Sequence, residues 1–108
     1  MRKFILTSLA AAALALPGVP ALAAEHIVSQ KDGAFSVSNL KAKSGDEVVF
    51  KNDDKVFHNV FSLSKILPFD LGAYGAGQSK KVKVDQPGKI LVECAIHPNM
   101  SMVIDVSK

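Results

Sequence analysis

Apolar and polar residues alternate with a period of two along much of this chain. Phe35 and Val37 alternate with Ser36 and Ser38, and Val82 and Val84 with Lys81 and Lys83. Ile90 and Val92 share one parity with Glu93 on the other, and Met102, Ile104 and Val106 form a last apolar row against Asp105 and Ser107. Successive side chains of a strand point to opposite faces, so each of these runs predicts a half-buried strand. Turn-forming clusters separate them: Asp32-Gly33, Ser44-Gly45-Asp46, Asn52-Asp53-Asp54 and Gln86-Pro87-Gly88. No window sustains a helical period. Residues 62–77, SLSKILPFDLGAYGAG, break the rhythm and are expected to form a long connection with one helical turn. Short strands with turns at this spacing predict an all-β antiparallel sandwich or barrel.

The first residues follow another pattern. Arg2 and Lys3 precede an apolar run from Phe4 to Leu16, then Pro17, Gly18 and Pro20, then Ala21-Leu22-Ala23. A basic start, an apolar middle and a small-residue end are the layout of a secretory signal. The run is short of the roughly 20 residues that a membrane span needs. Residues 1–23 are therefore read as a signal peptide and 24–108 as one domain, located in the periplasm and not inserted in a membrane once cleaved. Removing 23 of the 108 residues leaves 85, a size at which a metal or disulfides commonly supplement a small core.

Composition changes the picture in two places. The formal charge of +3 falls to +1 without Arg2 and Lys3, since 11 lysines then face 10 acids. A nucleic-acid partner, which needs a concentrated basic surface, is not expected. The single cysteine, Cys94, cannot form an internal disulfide, yet an exported thiol is exposed to oxidation. Burial, an intermolecular partner or a metal has to protect it.

Parity says where Cys94 points. It continues the row of Ile90 and Val92, so its sulfur faces the core at a strand's end. The loop that follows, CAIHPNM, adds His97 and Met100 at three-residue steps before Met102 opens the next inward row. His58, in KVFHNVFSL, falls in the row of Val56 and Val60, where an imidazole needs a partner or a metal. His26 lies too close to the cleaved end to be constrained. A Cys-His nucleophile pair needs a cleft and a third orienting group, which one tight loop does not supply. A structural zinc site favours several cysteines or histidines over a thioether. GAYGAGQS, residues 72–79, nearly spells a phosphate loop, but Gln78 stands where the lysine belongs and a strand pattern follows. Two imidazoles and a thiolate with a weak axial methionine make a blue-copper electron-transfer site.

At these residues the sequence resembles the cupredoxins, the plastocyanin and amicyanin group of type 1 copper proteins. FHNV followed by CAIHPNM is similar to their copper signature, and the spacing within the loop, with a proline after the histidine, is most similar to amicyanin. The resemblance runs roughly from Val48 to Val106. It implies a Greek-key β-sandwich of seven to eight short strands, one peripheral strand being missing or reduced. It implies His58, Cys94, His97 and Met100 as ligands of one copper ion. Met102 competes for the axial place, but its parity with Ile104 and Val106 assigns it to the core. Asn59 matches the asparagine that ties the two ligand-bearing loops together. Val92-Glu93 stand where an aromatic residue is common in the family.

The function implied is a carrier and not an enzyme, moving single electrons between a donor and an acceptor that are themselves redox proteins, a dehydrogenase and a cytochrome c among them. The His97 ring edge is the expected electron port, within an apolar patch drawn from Ala95, Pro98, Leu71 and Ala73, acting as a monomer through a transient interface. Copper delivery or storage by the same ligands is the alternative, and a copper-free interaction sandwich with a buried Cys94 is the third reading.

Overall fold

The computed structural model describes residues 22–108. The expected signal, residues 1–23, lies outside these but for its last two. Nine strands follow in order: β1 (Glu25–Lys31), β2 (Ala34–Phe35), β3 (Asn39–Lys43), β4 (Asp46–Asn52), β5 (His58–Ser62), β6 (Phe69–Tyr74), β7 (Ser79–Val84), β8 (Gly88–Glu93) and β9 (Ser101–Ser107). They build two sheets, β2-β1-β4-β7 and β3-β9-β8-β5-β6. This is the all-β sandwich that the alternation predicts, with nine strands where seven or eight were expected; β2 has only two residues.

The buried rows of the two sheets meet to form the core. Val28, Val48, Phe50 and Val84 come from one sheet; Val60, Ile90, Val92, Met102, Ile104 and Val106 come from the other. The predicted rows of β8 and β9 are buried as the alternation requires, and they pair in register, Ile90 opposite Ile104 and Val92 opposite Met102. Two pairings are parallel, β1 with β4 and β3 with β9, alongside the antiparallel ones. Alternation fixes which face a residue occupies and says nothing about the direction of the neighbouring strand. The chain leaves the first sheet after Phe35 and joins the second at Asn39. Val37 lies in that crossover and is half exposed, not inward as its alternation with Ser36 and Ser38 suggests.

Residues 62–77 correct another expectation. The stretch does contain one tight turn, closed by Leu67 N donating to Ser64 O at 3.1 Å, but it then forms β6. Asn59 pairs with Ala73 while Phe61 pairs with Asp70, so β6 holds one residue more than β5 between these points. Such a bulge reverses the side-chain parity within one strand, and Gly72 supplies the positive φ of 77° there. A period-two reading cannot see a strand that changes parity midway.

His26 is also placed. It belongs to β1, and its Nε2 lies 2.8 Å from Oδ2 of Asp46, which starts β4. The same carboxylate accepts from Ala24 N and Lys43 N, each at 2.9 Å, and Asp46 is 6% exposed. The His26 bond first, and then the two amides, hold its carboxyl down at about 2 from an ordinary 3.8. The folded state therefore binds this proton less readily than the unfolded chain. Asp46's contribution is complete above about pH 4 and drains away as pH falls toward 2. Asp46→Asn should melt lower than wild type at pH 7, and its melting temperature should fall less steeply below pH 4. Parallel acid profiles in thermal denaturation would refute this role.

Candidate metal centre

The first residue of β5 and the loop between β8 and β9 meet at one end of the sandwich. Phe61 pairs antiparallel with Glu93, and extending that register sets Asn59 opposite Ala95 and Val60 opposite Cys94. Ala95 N donates to Asn59 Oδ1 at 2.7 Å, which fastens the loop to β5. The loop also closes on itself: Cys94 N donates to Met100 O at 3.3 Å, and Met100 N to His97 O at 2.9 Å.

This framework collects the side chains that the sequence singled out. Cys94 Sγ lies 3.9 Å from His58 Nδ1 and 3.9 Å from His97 Nδ1, and all three atoms are within 4.8 Å of one another. The two imidazole rings stand 4.7 Å apart between centroids, tilted by 43°. His58 and Cys94 are buried, and His97 is half-buried. Met100 ends the loop and is also buried, at 1% exposure. Met102 is buried too, but within β9 and opposite Val92 in the core row. Val56, expected on the row of His58, is exposed because β5 begins only at His58.

The donor set fits a metal ion. Bond lengths of about 2.0 Å to an imidazole nitrogen and 2.3 Å to a thiolate, at a trigonal angle, span roughly 3.8 Å between donors. The observed nitrogen–sulfur separations of 3.9 Å match that span. A thiolate with two imidazoles suits a soft or borderline ion and not a hard one.

Three features were not singled out in the sequence. Asp54 Oδ2 lies 3.0 Å from His58 Nε2, and the carboxyl is held below its usual range chiefly by this bond, then by the amides of Lys55 and Asp32. An acid four residues before the histidine, in DDKVFH, was the available signal. Phe57 and Ile96 are exposed at 61% and 47%, each adjacent in sequence to residues of the centre. A large apolar residue out of parity beside a proposed ligand marks a surface and not a core. Ala95 and Pro98 are exposed as expected, whereas Leu71 is half-buried against the core. No helix among the described residues is long and apolar enough to cross a membrane.

Comparison with known proteins agrees with the geometry. Residues 23–107 match the family model for copper binding proteins of the plastocyanin/azurin family. The chain is 30% identical over 104 residues to the methylamine utilization protein MauL of Methylorubrum extorquens, covering 95% of this chain and 91% of that one. It is 29% identical over 120 residues to chloroplastic plastocyanin of Pisum sativum, covering 99% of this chain and 71% of that one. An oxidized amicyanin variant shares the fold, with a TM-score of 0.72 at 20% identity over 76% of this chain and 81% of that one. Plastocyanin- and amicyanin-type proteins are electron carriers and not enzymes. Copper is the cofactor, and the chain belongs to the plastocyanin/azurin family of copper binding proteins.

Proposed function

We propose that this chain is an exported blue-copper electron carrier in which His58, Cys94, His97 and Met100 hold one copper ion. The observation that carries the reading is the buried thiol of Cys94, 3.9 Å from each of two imidazole nitrogens. Bound copper supplies a one-electron couple between Cu(I) and Cu(II). Cys94 acts as a thiolate, which also protects a thiol that an oxidising compartment would otherwise attack. Two sheets and the Asn59–Ala95 bond hold the donors in place, so little rearrangement accompanies a change of charge. Residues 1–23 serve as the export signal and 24–108 as the carrier domain, working in the periplasm as a monomer.

His97 is the electron port. It is the half-buried member of the trio, and its sequence neighbours Ile96 and Pro98, with Ala95 and Phe57 beside the other ligands, are exposed apolar residues that would form the docking face. A small apolar face suits short-lived docking to larger redox proteins. The donor in this reading is a dehydrogenase and the acceptor a cytochrome c; the similarity to a methylamine utilization protein is in keeping with a role in substrate oxidation.

Cu(II) titration tests the reading. One equivalent should produce an intense thiolate-to-copper band that bleaches with one electron and returns on reoxidation. Failure to develop the band overturns the site, and copper that stays bound as Cu(I) without returning to the blue state assigns the protein to delivery or storage. Met100→Leu should raise the midpoint potential, because it removes a weak donor that favours Cu(II); a tenfold change in preference corresponds to about 59 mV. Met102→Leu should leave the potential in place. The reverse result in a redox titration would move the axial role to Met102.

A further inference from the structure

Both ring nitrogens of the fully buried His58 have partners. Nδ1 faces Cys94, and Nε2 lies 3.0 Å from Asp54 Oδ2. A buried imidazole is adequately satisfied by a neutral carbonyl or hydroxyl, so a carboxylate at this place adds a charge that hydrogen bonding alone does not require.

The turn that carries Asp54 is built to present it. Oδ1 accepts from Lys55 N at 2.8 Å, and Oδ2 also accepts from Asp32 N at 2.9 Å. Asp54 N donates to Asn52 Oδ1 at 2.8 Å, and Asn52, fully buried, donates from Nδ2 to Val56 O and Tyr74 O. The Asp54 side chain is only 16% exposed. Among the described residues, His97 has no carboxylate partner, so the two imidazoles are electronically unlike.

A carboxylate can only accept, so Nε2 carries the ring proton and the Nδ1 lone pair is left facing Cys94. A proton drawn toward a carboxylate also makes the opposite ring nitrogen a stronger donor. Added donor strength and added negative charge both favour the more highly charged state of a bound cation. We propose that Asp54 is a positioning residue that fixes the His58 tautomer and lowers the reduction potential of the copper centre. The proposal rests on His58 being a copper ligand.

The test uses Asp54→Asn, which keeps an acceptor and removes the charge, Asp54→Ala, which removes both, and Asp53→Asn as a control. Asp53 is a neighbouring exposed carboxylate engaged by Ser29 Oγ. Loss of an outer partner typically changes metal affinity 10- to 100-fold. Applied to Cu(II) over Cu(I), that is about 59 to 118 mV upward for Asp54→Asn, with the blue band retained. Asp54→Ala should shift the same way, and Asp53→Asn should not. In the metal-free wild type, ring-nitrogen NMR shifts should report His58 protonated on Nε2. A ring protonated on Nδ1 overturns the proposal whether or not the protein turns blue. So does a blue Asp54→Asn protein whose preference lies within threefold of wild type, or an equal shift in Asp53→Asn. A wild type with the Nε2 tautomer that never turns blue overturns instead the ligand reading beneath it.

Discussion

Cys94→Ser should remove the intense visible band of the copper-loaded protein completely. A hydroxyl oxygen is a hard donor that stays protonated at neutral pH, whereas the thiolate is the soft, charged member of the set. Serine replaces it at a position 1% exposed and 3.9 Å from each imidazole. The remaining imidazoles can still hold Cu(II), so the expected product is a pale complex whose Cu(I) affinity is lower by more than the ~100-fold that loss of an outer partner can cost. The metal-free variant should fold, less stable by about 1–3 kcal/mol because a hydroxyl is buried beside apolar neighbours. Absorption and competition titrations measure the first effect, and thermal melts the second. A serine variant that turned blue would require a different cysteine-free chromophore and would end the type 1 assignment.

Phe50→Ala should produce the largest loss of stability. Phe50 is fully buried on β4, its ring set edge-on to Phe35 with centroids 6.0 Å apart. Truncating a buried phenylalanine costs roughly 3–5 kcal/mol, a large part of the 5–15 kcal/mol that holds a typical domain together. Phe50 O also accepts from the Tyr74 hydroxyl at 3.1 Å, and Tyr74 pairs with His58 across β5 and β6. The carbonyl survives the truncation, so the damage should reach the metal end of the sandwich only as far as β4 shifts into the vacancy and carries Tyr74 with it. Excess copper should recover part of the lost melting temperature, since a ligand that binds only the native state stabilises it by mass action. Denaturant melts with and without copper measure both terms. A loss below about 1 kcal/mol would mean that the core closes over the vacancy.

What could be read from the sequence depended on whether a local rule controls the position. Cys94 follows from parity, because Ile90 and Val92 define its face without a break, and the spacing of His97 and Met100 follows from the loop that must turn the chain there. His58 was legible by residue type, although the Val56 used to set its row lies outside the strand. β6 was not legible, because its bulge interrupts the alternation on which strand reading rests. The parallel pairings were not legible either, since they depend on where the chain crosses between sheets. Asp54 and the His26–Asp46 pair depend on contacts between turns and strands that no period encodes. Ile96 and Phe57 escaped notice because an exposed apolar residue carries no pattern of its own.

The place of Cys94, His97 and Met100 in chain order has a further consequence. The loop that holds them is joined directly to β9, the last strand, which fills the gap between β8 and β3. The pairing of β9 with β8 spans only the short loop, whereas its pairing with β3 joins residues about sixty positions apart, a long-range contact of the kind that slows folding. A chain still emerging from the machinery that makes or exports it lacks the strand that clamps this loop in place. The donors of this loop are therefore held on both flanks only once β9 has paired with β8 and with β3.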